Sequence, residues 1–252
     1  MEDFSEYIKE MVSSFNGNAS IMIEGKMNAE WNSSLRVRSA SLIKLAVMLE
    51  VFRQAEQGSL SLTAPIKVSS HCMTGGSGVL KTLEVDRTFS ILELVTLMIT
   101  VSDNSATNKL IDLIGINRIN SFCKDIGCCE TVIQRRMMDL HSDKDNWTSA
   151  RDTVTMLKQI LRSPFQNEML SILCSQQFRH KLPALMNPCL AVGSKTGELP
   201  GLEHDAAIIV KDEGEPVIAA VLLSDFKNSN DAIMLHRNIG ELLSKFMMNN
   251  LS

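Results

Sequence analysis

The sequence predicts an α/β (α+β) fold: an antiparallel sheet with packing helices from both chain ends, plus an inserted all-helical lobe. Two short apolar runs, 206–210 and 217–223, are joined by a polar segment and indicate buried antiparallel strands. Apolar residues recur at helical spacing at both chain ends and through most of the middle. We therefore expect residues 1–40 and 189–252 to form the sheet domain and 41–188 to form the all-helical domain.

The N-terminal part is predicted to supply one helix, a strand pair and a second helix. Apolar side chains recur at helical spacing from Phe4 to Val12. Residues 19–23 indicate a strand that pairs with a second extended stretch near 34–37. The next helix is predicted over 41–57, since its apolar side chains form one stripe and a glycine follows it. That stripe consists of Leu42, Leu45, Ala46, Leu49 and Phe52.

Helical periodicity continues through the middle of the chain, and the pattern changes near residue 190. Gly, Ser and Asp clusters separate five predicted helices. Their ranges are 91–101, 106–114, 116–126, 151–161 and 167–174. The apolar run 190–192 then begins the C-terminal strands, and a closing helix is predicted over 232–248.

Composition is that of a globular protein whose partner is not nucleic acid. Of the 252 residues, 44% are hydrophobic and 21% are charged, with a net charge of -4, so no basic surface for phosphates is expected. No apolar run is long enough to span a membrane. The first ten residues are acidic and amphipathic, without the basic and apolar regions of a signal peptide. The sequence as given predicts a cytoplasmic monomer, although a secreted form with its leader removed remains open.

The cysteines and histidines predict no metal site. The six cysteines form no Cys-x-x-Cys pair, which favours buried thiols in a reducing compartment. The five histidines form no His-Glu-x-x-His pattern. We expect neither a metal nor a cofactor.

Three short motifs occur in an order that identifies a family. Ser41-Leu-Ile-Lys44 lies at a helix start, and Ser102-Asp103-Asn104 lies between two helices. The third motif, Lys195-Thr196-Gly197, ends the first C-terminal strand. This trio resembles that of the class A β-lactamases and penicillin-binding proteins, which are penicillin-recognising enzymes with an active-site serine.

The resemblance assigns the nucleophile to Ser41 and its activation to Lys44. Ser-x-x-Lys occurs twice more, at 121–124 and 224–227, and we interpret both as chance. In a helix, residues i and i+3 share a face, so Lys44 is expected to reach the Ser41 hydroxyl. An ammonium must first lose its proton to act as a base, which burial or a nearby positive charge favours. Lys195, across the cleft, is expected to supply that charge.

The other two motifs are expected to handle the leaving group and the substrate. Ser102-Asp103-Asn104 precedes a helical run, so an N-cap is also consistent with it, with Asp103 as the structural member. Ser102 is expected to pass a proton to the leaving group, and Asn104 to hold a substrate amide. Lys195 and Thr196 suit a substrate carboxylate, and Gly197 would let an extended substrate approach the strand edge. Backbone N–H groups of Ser41 and Glu198 are the expected oxyanion hole, which leaves the acidic side chain of Glu198 unexplained.

The likeness extends from end to end of the chain, with two departures. Residues 98–108 resemble the family's helices around the second motif, and 76–80 resemble one wall of its cleft. The family's Glu-x-x-Leu-Asn motif, whose Glu activates the deacylating water, is missing, and Asp139 is the nearest carboxylate by count. A loop salt bridge with Arg135 or Arg136, or a helix cap, is the competing interpretation of Asp139.

The second departure lies beyond the third motif. The basic side chain that many class A enzymes carry there has no match, and His204 and Asp205 occupy that region. A lone histidine beside a buried strand is more often structural than functional. The segment from Ser102 to Lys195 is also shorter than in the family.

The sequence therefore predicts a serine hydrolase that forms an acyl-enzyme at Ser41 with an amide or ester, with weak or slow β-lactam turnover. The expected partner is a small-molecule substrate: a β-lactam, an ester or a short peptide. Two alternatives remain at this point. One is a cytoplasmic peptidase or esterase for a small substrate, and the other is a β-lactam-binding sensor that is acylated without turnover.

Overall fold

The computed structural model describes residues 4–70, 73–83, 86–139 and 141–249. In chain order its α-helices are α1 (Phe4–Ser13), α2 (Lys44–Glu56), α3 (Ile91–Thr100), α4 (Asn104–Ile114), α5 (Ile116–Asp125), α6 (Ala150–Arg162), α7 (Gln166–Cys174) and α8 (Ser229–Asn249). The strands are β1 (Asn18–Glu24), β2 (Ala29–Trp31), β3 (Val37–Arg38), β4 (Pro65–Val68), β5 (Arg87–Ser90), β6 (Trp147–Thr148), β7 (Leu190–Leu199), β8 (Leu202–Lys211) and β9 (Val217–Ser224). Short 3-10 helices occur at Ala40–Ile43, Leu80–Thr82 and Leu182–Leu185.

Five strands form the central antiparallel sheet, in the order β2-β1-β9-β8-β7. β9 lies in the middle and all of its residues are buried, which explains its unbroken apolar sequence. β7 lies at the sheet edge and extends to Leu199, so the Lys195-Thr196-Gly197 motif lies inside the strand. The predicted fold class is confirmed by this sheet and by the helices around it.

The two faces of the sheet belong to two separate apolar clusters. Ile21 and Ile23 of β1 pack with α1 and α8, while Met22 between them packs with α2 and α6 on the opposite face. This alternation follows from the two-residue period of a strand. The helices of the middle segment therefore cover one face, and the two terminal helices cover the other.

The predicted strand pair at the N-terminus is wrong in its second member. β1 pairs with β2, in the register Ile21↔Trp31 and Ile23↔Ala29. Gly25, at φ 137°, allows the chain to turn back directly after β1. The stretch that we expected to pair with β1 contributes Val37 to β3 instead, opposite Thr148 of β6.

The segment 41–188 also contains two strands that the sequence did not predict. β4 and β5 form a two-stranded antiparallel sheet, with Ile66 opposite Phe89. Each strand has only four residues, PIKV in β4 and RTFS in β5, which is too short a run for apolar alternation to mark it as a strand. Among the described residues, no helix is both long enough and apolar enough to cross a membrane.

Candidate active site

Ser41 lies in the 3-10 helix Ala40–Ile43, directly before α2. Ala40 has φ 46°, a left-handed conformation that costs a non-glycine residue free energy. The strained turn leaves Ser41 half-buried, whereas Lys44, at the start of α2, is fully buried. The side chain of Lys44 therefore points into the protein beneath a serine that stays accessible.

Lys44 is held by the loop between α3 and α4. Its Nζ donates to the carbonyl oxygen of Ser102 at 2.6 Å, to Ser102 Oγ at 3.0 Å and to Asn104 Oδ1 at 2.8 Å. These three acceptors account for all three N–H bonds of an ammonium. In the described residues no hydrogen bond joins Lys44 Nζ to the Ser41 hydroxyl, so the contact expected from their spacing is not formed here.

Ser102 links the two lysines of the motifs. Its hydroxyl oxygen accepts from Lys44 Nζ at 3.0 Å and from Lys195 Nζ at 3.1 Å. Ser102 has φ 53° and is buried, so a second strained residue holds the oxygen between the two amines. The second and third motifs thus meet at one oxygen atom, which Lys44 of the first motif also contacts.

Both lysines are easier to deprotonate than free lysine. Burial, followed by the charge of Lys195, lowers the pKa of Lys44 well below its usual value. Burial also lowers the pKa of Lys195, to about 7, against the opposing effect of Asp205. A pKa near neutrality makes the charge of Lys195 depend on pH.

Asp103 is a structural residue, in line with the N-cap interpretation. Its Oδ1 accepts from the N–H of Ala106 and caps α4. Its Oδ2 accepts from the N–H groups of Val79 at 2.7 Å and Leu80 at 2.8 Å. Gly78 packs so closely that a Cβ there would lie 2.3 Å from Asp103 Oδ2. Asp103 therefore joins the wall segment 73–80 to the loop that holds Ser102.

Asn104 uses both ends of its side-chain amide. Its Oδ1 accepts from Lys44, and its Nδ2 donates to the carbonyl oxygen of Gly75 at 3.0 Å. An amide nitrogen carries two N–H bonds, so one remains for a substrate carbonyl. This arrangement is compatible with the predicted role in holding a substrate amide.

The outer edge of β7 runs beside the Ser41 turn. Arg179 Nη1 donates to the carbonyl oxygen of Val192 at 3.2 Å, and Lys195 Nζ donates to that of Thr196 at 2.7 Å. Backbone groups alternate between the two edges of a strand, so the N–H of Glu198 lies on the same outer edge. Arg179 therefore covers the start of this outer edge. Near Glu198 the edge lies beside the Ser41 turn.

Gly197 lies where β7 passes closest to the Ser41 turn. A Cβ at this position would lie 3.2 Å from the carbonyl oxygen of Ser39, 3.3 Å from Ala40 Cβ and 3.3 Å from the Leu42 nitrogen. The chain's own turn therefore approaches the strand closely at this position. Gly197 therefore lets β7 and the Ser41 turn pack against each other.

A buried lysine that the sequence did not predict lies beneath β7. Lys181 is fully buried and its Nζ contacts Glu198 Oε1 at 3.0 Å and Glu203 Oε2 at 2.6 Å. It also donates to the carbonyl oxygens of Gly197 at 3.4 Å and His204 at 3.2 Å. A lysine in a polar loop carries no periodic signal, and only its distant partners make its burial possible.

His204 and Asp205 are both buried in β8. His204 Nε2 lies 2.9 Å from the carbonyl oxygen of Arg38, and burial lowers the pKa of His204 to about 4. Asp205 Oδ2 accepts from the N–H of Leu182 at 3.1 Å, and burial raises the pKa of Asp205 to about 7. These contacts join β8 to its neighbours, so the structure favours the structural interpretation of His204.

Asp139 is exposed, and its Oδ1 accepts from the N–H of His141 at 3.3 Å. The salt bridge considered for it is not formed, because Arg135 pairs with Asp145 at 2.7 Å and Arg136 pairs with Asp112 at 2.9 Å. The side chain thus has the contact of a local turn rather than of a buried, oriented carboxylate.

One group of side chains in the described residues has ligand types suited to a metal ion. The ligand atoms of His180, Glu198 and Glu203 lie within 4.8 Å of one another. Lys181 Nζ pairs with both carboxylates, so an ammonium already supplies a positive charge between them. The arrangement is that of an ion-pair network.

The comparisons with known proteins agree with this geometry. The β-lactamase BRO-1 of Moraxella catarrhalis is 24% identical over 238 residues, covering 86% of this chain and 72% of that protein. The D-alanyl-D-alanine carboxypeptidase DacF of Bacillus subtilis (strain 168) is 23% identical over 154 residues, covering 57% of this chain and 39% of DacF.

The crystal structure of a β-lactamase from Sphaerobacter thermophilus DSM 20745 superposes with a TM-score of 0.87 at 25% identity, covering 98% of this chain and 97% of the other. The model of the β-lactamase enzyme family matches residues 3–247. Fold, motif geometry and family match therefore agree, and the chain belongs to the β-lactamase enzyme family as a β-lactamase-like serine hydrolase.

Proposed function

We propose that the protein forms an acyl-enzyme at Ser41 with an amide or ester substrate and hydrolyses that acyl-enzyme slowly. The observation that carries the proposal is the meeting of Lys44 and Lys195 at Ser102 Oγ, at 3.0 and 3.1 Å. Three motifs distant in sequence supply these groups, and the accessible serine lies beside them. A purely structural network would have no need for two amines of lowered pKa beneath an accessible hydroxyl.

The acylation step uses Lys44 as the base. In its neutral form Lys44 Nζ has a lone pair that can take the proton of the Ser41 hydroxyl while Ser41 Oγ attacks the substrate carbonyl carbon. Burial and the charge of Lys195 lower the pKa of Lys44, which raises the fraction of that neutral form. The negative charge that develops on the carbonyl oxygen is met by the backbone N–H groups of Ser41 and Glu198.

The leaving group departs with a proton from Ser102. The carbonyl carbon–nitrogen or carbon–oxygen bond breaks as the Ser102 hydroxyl protonates the departing atom. Lys44 and Lys195 both contact Ser102 Oγ, so either amine can return a proton to it. The free N–H of Asn104 holds the acyl side of the substrate, which lies along the outer edge of β7 as an added strand.

We propose deacylation as the slow step because the sequence lacks the family's Glu-x-x-Leu-Asn motif and Asp139 does not replace its Glu as a buried, oriented carboxylate. Asp139, the residue expected by count, is exposed and bound to the N–H of His141. A base must lie within hydrogen-bond reach of the proton that it removes, and misplacement costs orders of magnitude in rate. The same observation favours a second candidate function, a binding or sensor protein that stays acylated.

Two substrate classes follow from the relatives. BRO-1 is a β-lactamase, and DacF is a D-alanyl-D-alanine carboxypeptidase. Both reactions break an amide bond, so β-lactams and short peptides are the substrates to test first. Small esters serve as activated analogues of either class.

Rapid mixing with a chromogenic cephalosporin tests the proposal. We expect a burst of one equivalent of opened β-lactam, followed by a phase that is slower by orders of magnitude, because acylation outruns deacylation. Ser41→Ala should abolish the burst. The matched control is Ser121→Ala, which alters an exposed serine of a second Ser-x-x-Lys sequence and should change nothing. A burst that persists in Ser41→Ala would refute the proposal, and fast steady turnover would refute its slow step.

A further inference from the structure

The face of β7 opposite to Lys195 and Gly197 carries an unexpected carboxylate at the strand edge. Side chains alternate along a strand, so Thr196 and Glu198 share one face, while Lys195 points to Ser102 on the other. The cross-strand partners on the face of Thr196 and Glu198 are Asp205 and Glu203. A substrate lying along the outer edge of β7 would meet this acidic face.

The cation on this face is covered by the carboxylate. Lys181 Nζ is fully buried, whereas the side chain of Glu198 is 49% exposed. Lys181 lies 3.0 Å and His180 lies 3.4 Å from the same oxygen, Oε1 of Glu198. Lys181 Nζ also forms an ion pair with Glu203 Oε2, at 2.6 Å. A substrate therefore meets the half-exposed carboxylate of Glu198 before the buried lysine.

Glu198 stays ionised at every pH at which the protein would work. The hydrogen bond from His180, against the opposing effect of burial and helped by the charge of Lys181, lowers the pKa of Glu198 to about 2. Lys181 Nζ already pairs with Glu203. Pairing with a carboxylate of the substrate as well would weaken that ion pair, which costs free energy.

We propose that Glu198 is a specificity-determining residue: it makes the cleft select substrates that are neutral or cationic at the β7 edge and disfavour those with a carboxylate there. This rests on the proposed acylation of Ser41 and names the charge class of its substrate. It restricts the expectation that Lys195 and Thr196 hold a substrate carboxylate: two of the three N–H bonds of Lys195 already go to Ser102 Oγ and the Thr196 carbonyl, and the charge of Glu198 opposes a carboxylate at this edge. The predicted substrate is an ester or amide with an amine, or no charge, near the scissile bond.

Three derivatives of one β-lactam test the inference. Benzylpenicillin carries a carboxylate, its methyl ester is neutral, and its dimethylaminoethyl amide is cationic. Acylation rate constants for each are measured by intact mass on the unmodified protein, on Glu198→Gln and on Glu241→Gln. Glu241 is a partly exposed glutamate of α8 whose change removes the same charge away from the cleft.

The expected result is a change of selectivity. Glu198→Gln should speed acylation by the carboxylate roughly tenfold relative to the methyl ester, and slow the cationic amide by a similar factor. Glu241→Gln should leave all three rates within about twofold, because its charge is distant and screened. An equal change of all three rates in Glu198→Gln would overturn the inference, as would an unmodified protein that prefers the carboxylate to the other two.

Binding measurements on Ser41→Ala separate this inference from the proposed function. Dissociation constants of the same three compounds are compared between Ser41→Ala and the double variant with Glu198→Gln. Charge-selective binding by Ser41→Ala, together with no acylation of the unmodified protein, would refute only the proposed function. Acylation with no charge selectivity would refute the inference alone, and neither binding nor acylation would refute both.

Discussion

Chemistry at the residue scale depends on two buried amines that share one hydroxyl. Ordinary lysines are cations at neutral pH and cannot accept a proton. Lys44 and Lys195 are fully buried and both contact Ser102 Oγ, and the charge of Lys195 adds to burial in making the charged form of Lys44 less favourable. This coupling explains how a lysine serves as a base without a histidine or a carboxylate beside it.

Lys44→Met should abolish acylation without loss of the fold. Methionine fills a similar volume in an apolar setting but cannot accept a proton, so the burst with a chromogenic cephalosporin should slow by roughly 10²–10⁴-fold. Rapid-mixing absorbance measures the rate, and circular dichroism checks the fold. Lys124→Met, at an exposed lysine of another Ser-x-x-Lys sequence, is the control and should acylate normally. Acylation of Lys44→Met at the normal rate would assign the base elsewhere.

The pH dependence of acylation should report the coupling between the lysines. Lys44 acts only when neutral, that is, above its pKa, so the rate should rise with pH through that pKa and level off. Lys195→Met removes a positive charge that lowers the pKa of Lys44, so the midpoint of the rise should move to higher pH, by roughly one unit. Rates are measured from pH 4 to 10, within roughly the range of the side-chain pKa values involved. A midpoint that stays in place or moves down would contradict the coupling.

The site residues that belong to the three motifs could be predicted from the sequence. Residues whose position depends on partners distant in the chain could not. Ser41, Lys44, Ser102 and Lys195 have residue types that chemistry requires, in a recognisable order, and the structure brings the last three into contact. Lys181 was missed because its place is set by Glu198 and Glu203, which follow it in the chain with no fixed spacing.

At the scale of elements, hydrogen bonds to one short segment, the predicted wall of the cleft, hold the Ser102 loop in place. Residues 73–80 are joined to the Ser102 loop by Asp103, and the backbone N–H of Asn104 donates to the carbonyl oxygen of Ser77 in the wall segment at 3.1 Å. Asn108 adds two bonds to the backbone of Met137, at 2.7 and 3.1 Å. The start of α4 thus orients two irregular segments at once.

Gly78→Ala should disturb this assembly, whereas Gly75→Ala should not. Gly78 has φ 116° and no space for a Cβ, so alanine should lower the free energy of unfolding by about 2–3 kcal/mol and slow acylation as Asp103 shifts. A Cβ at Gly75 would have nothing within 4 Å, so alanine there should change the free energy of unfolding by less than about 0.5 kcal/mol. Thermal unfolding and burst kinetics measure both variants. Equal effects at the two glycines would contradict the role given to Gly78.

Helices and buried strands were easier to predict than short, polar strands. α3, α5 and α6 agree with the predicted ranges within a residue or so, because their apolar stripes pack on one core. β2 has only three residues and an exposed glutamate in its middle, so its sequence offered no alternation to detect. Its pairing depends on the turn at Gly25, which lies before it.

At the scale of the whole molecule, the site lies where the sheet edge meets the helices of the middle segment. β7 supplies Lys195 from one side, and α2 with the loop before α4 supplies Lys44 and Ser102 from the other. Packing of the two parts therefore sets the position of every reacting group. The resemblance could predict this meeting place, but the charges around Glu198 depend on the completed fold.

The most direct test of the account is the mass of the protein after β-lactam treatment. The protein is mixed with excess benzylpenicillin methyl ester, freed of unbound compound, and followed by intact mass and peptide mapping over hours. We predict one adduct with the full mass of the β-lactam, on the peptide that contains Ser41, and its slow loss with time. An adduct on another residue, or none under conditions in which Ser41 is intact, would contradict the central claim that Ser41 forms the acyl-enzyme.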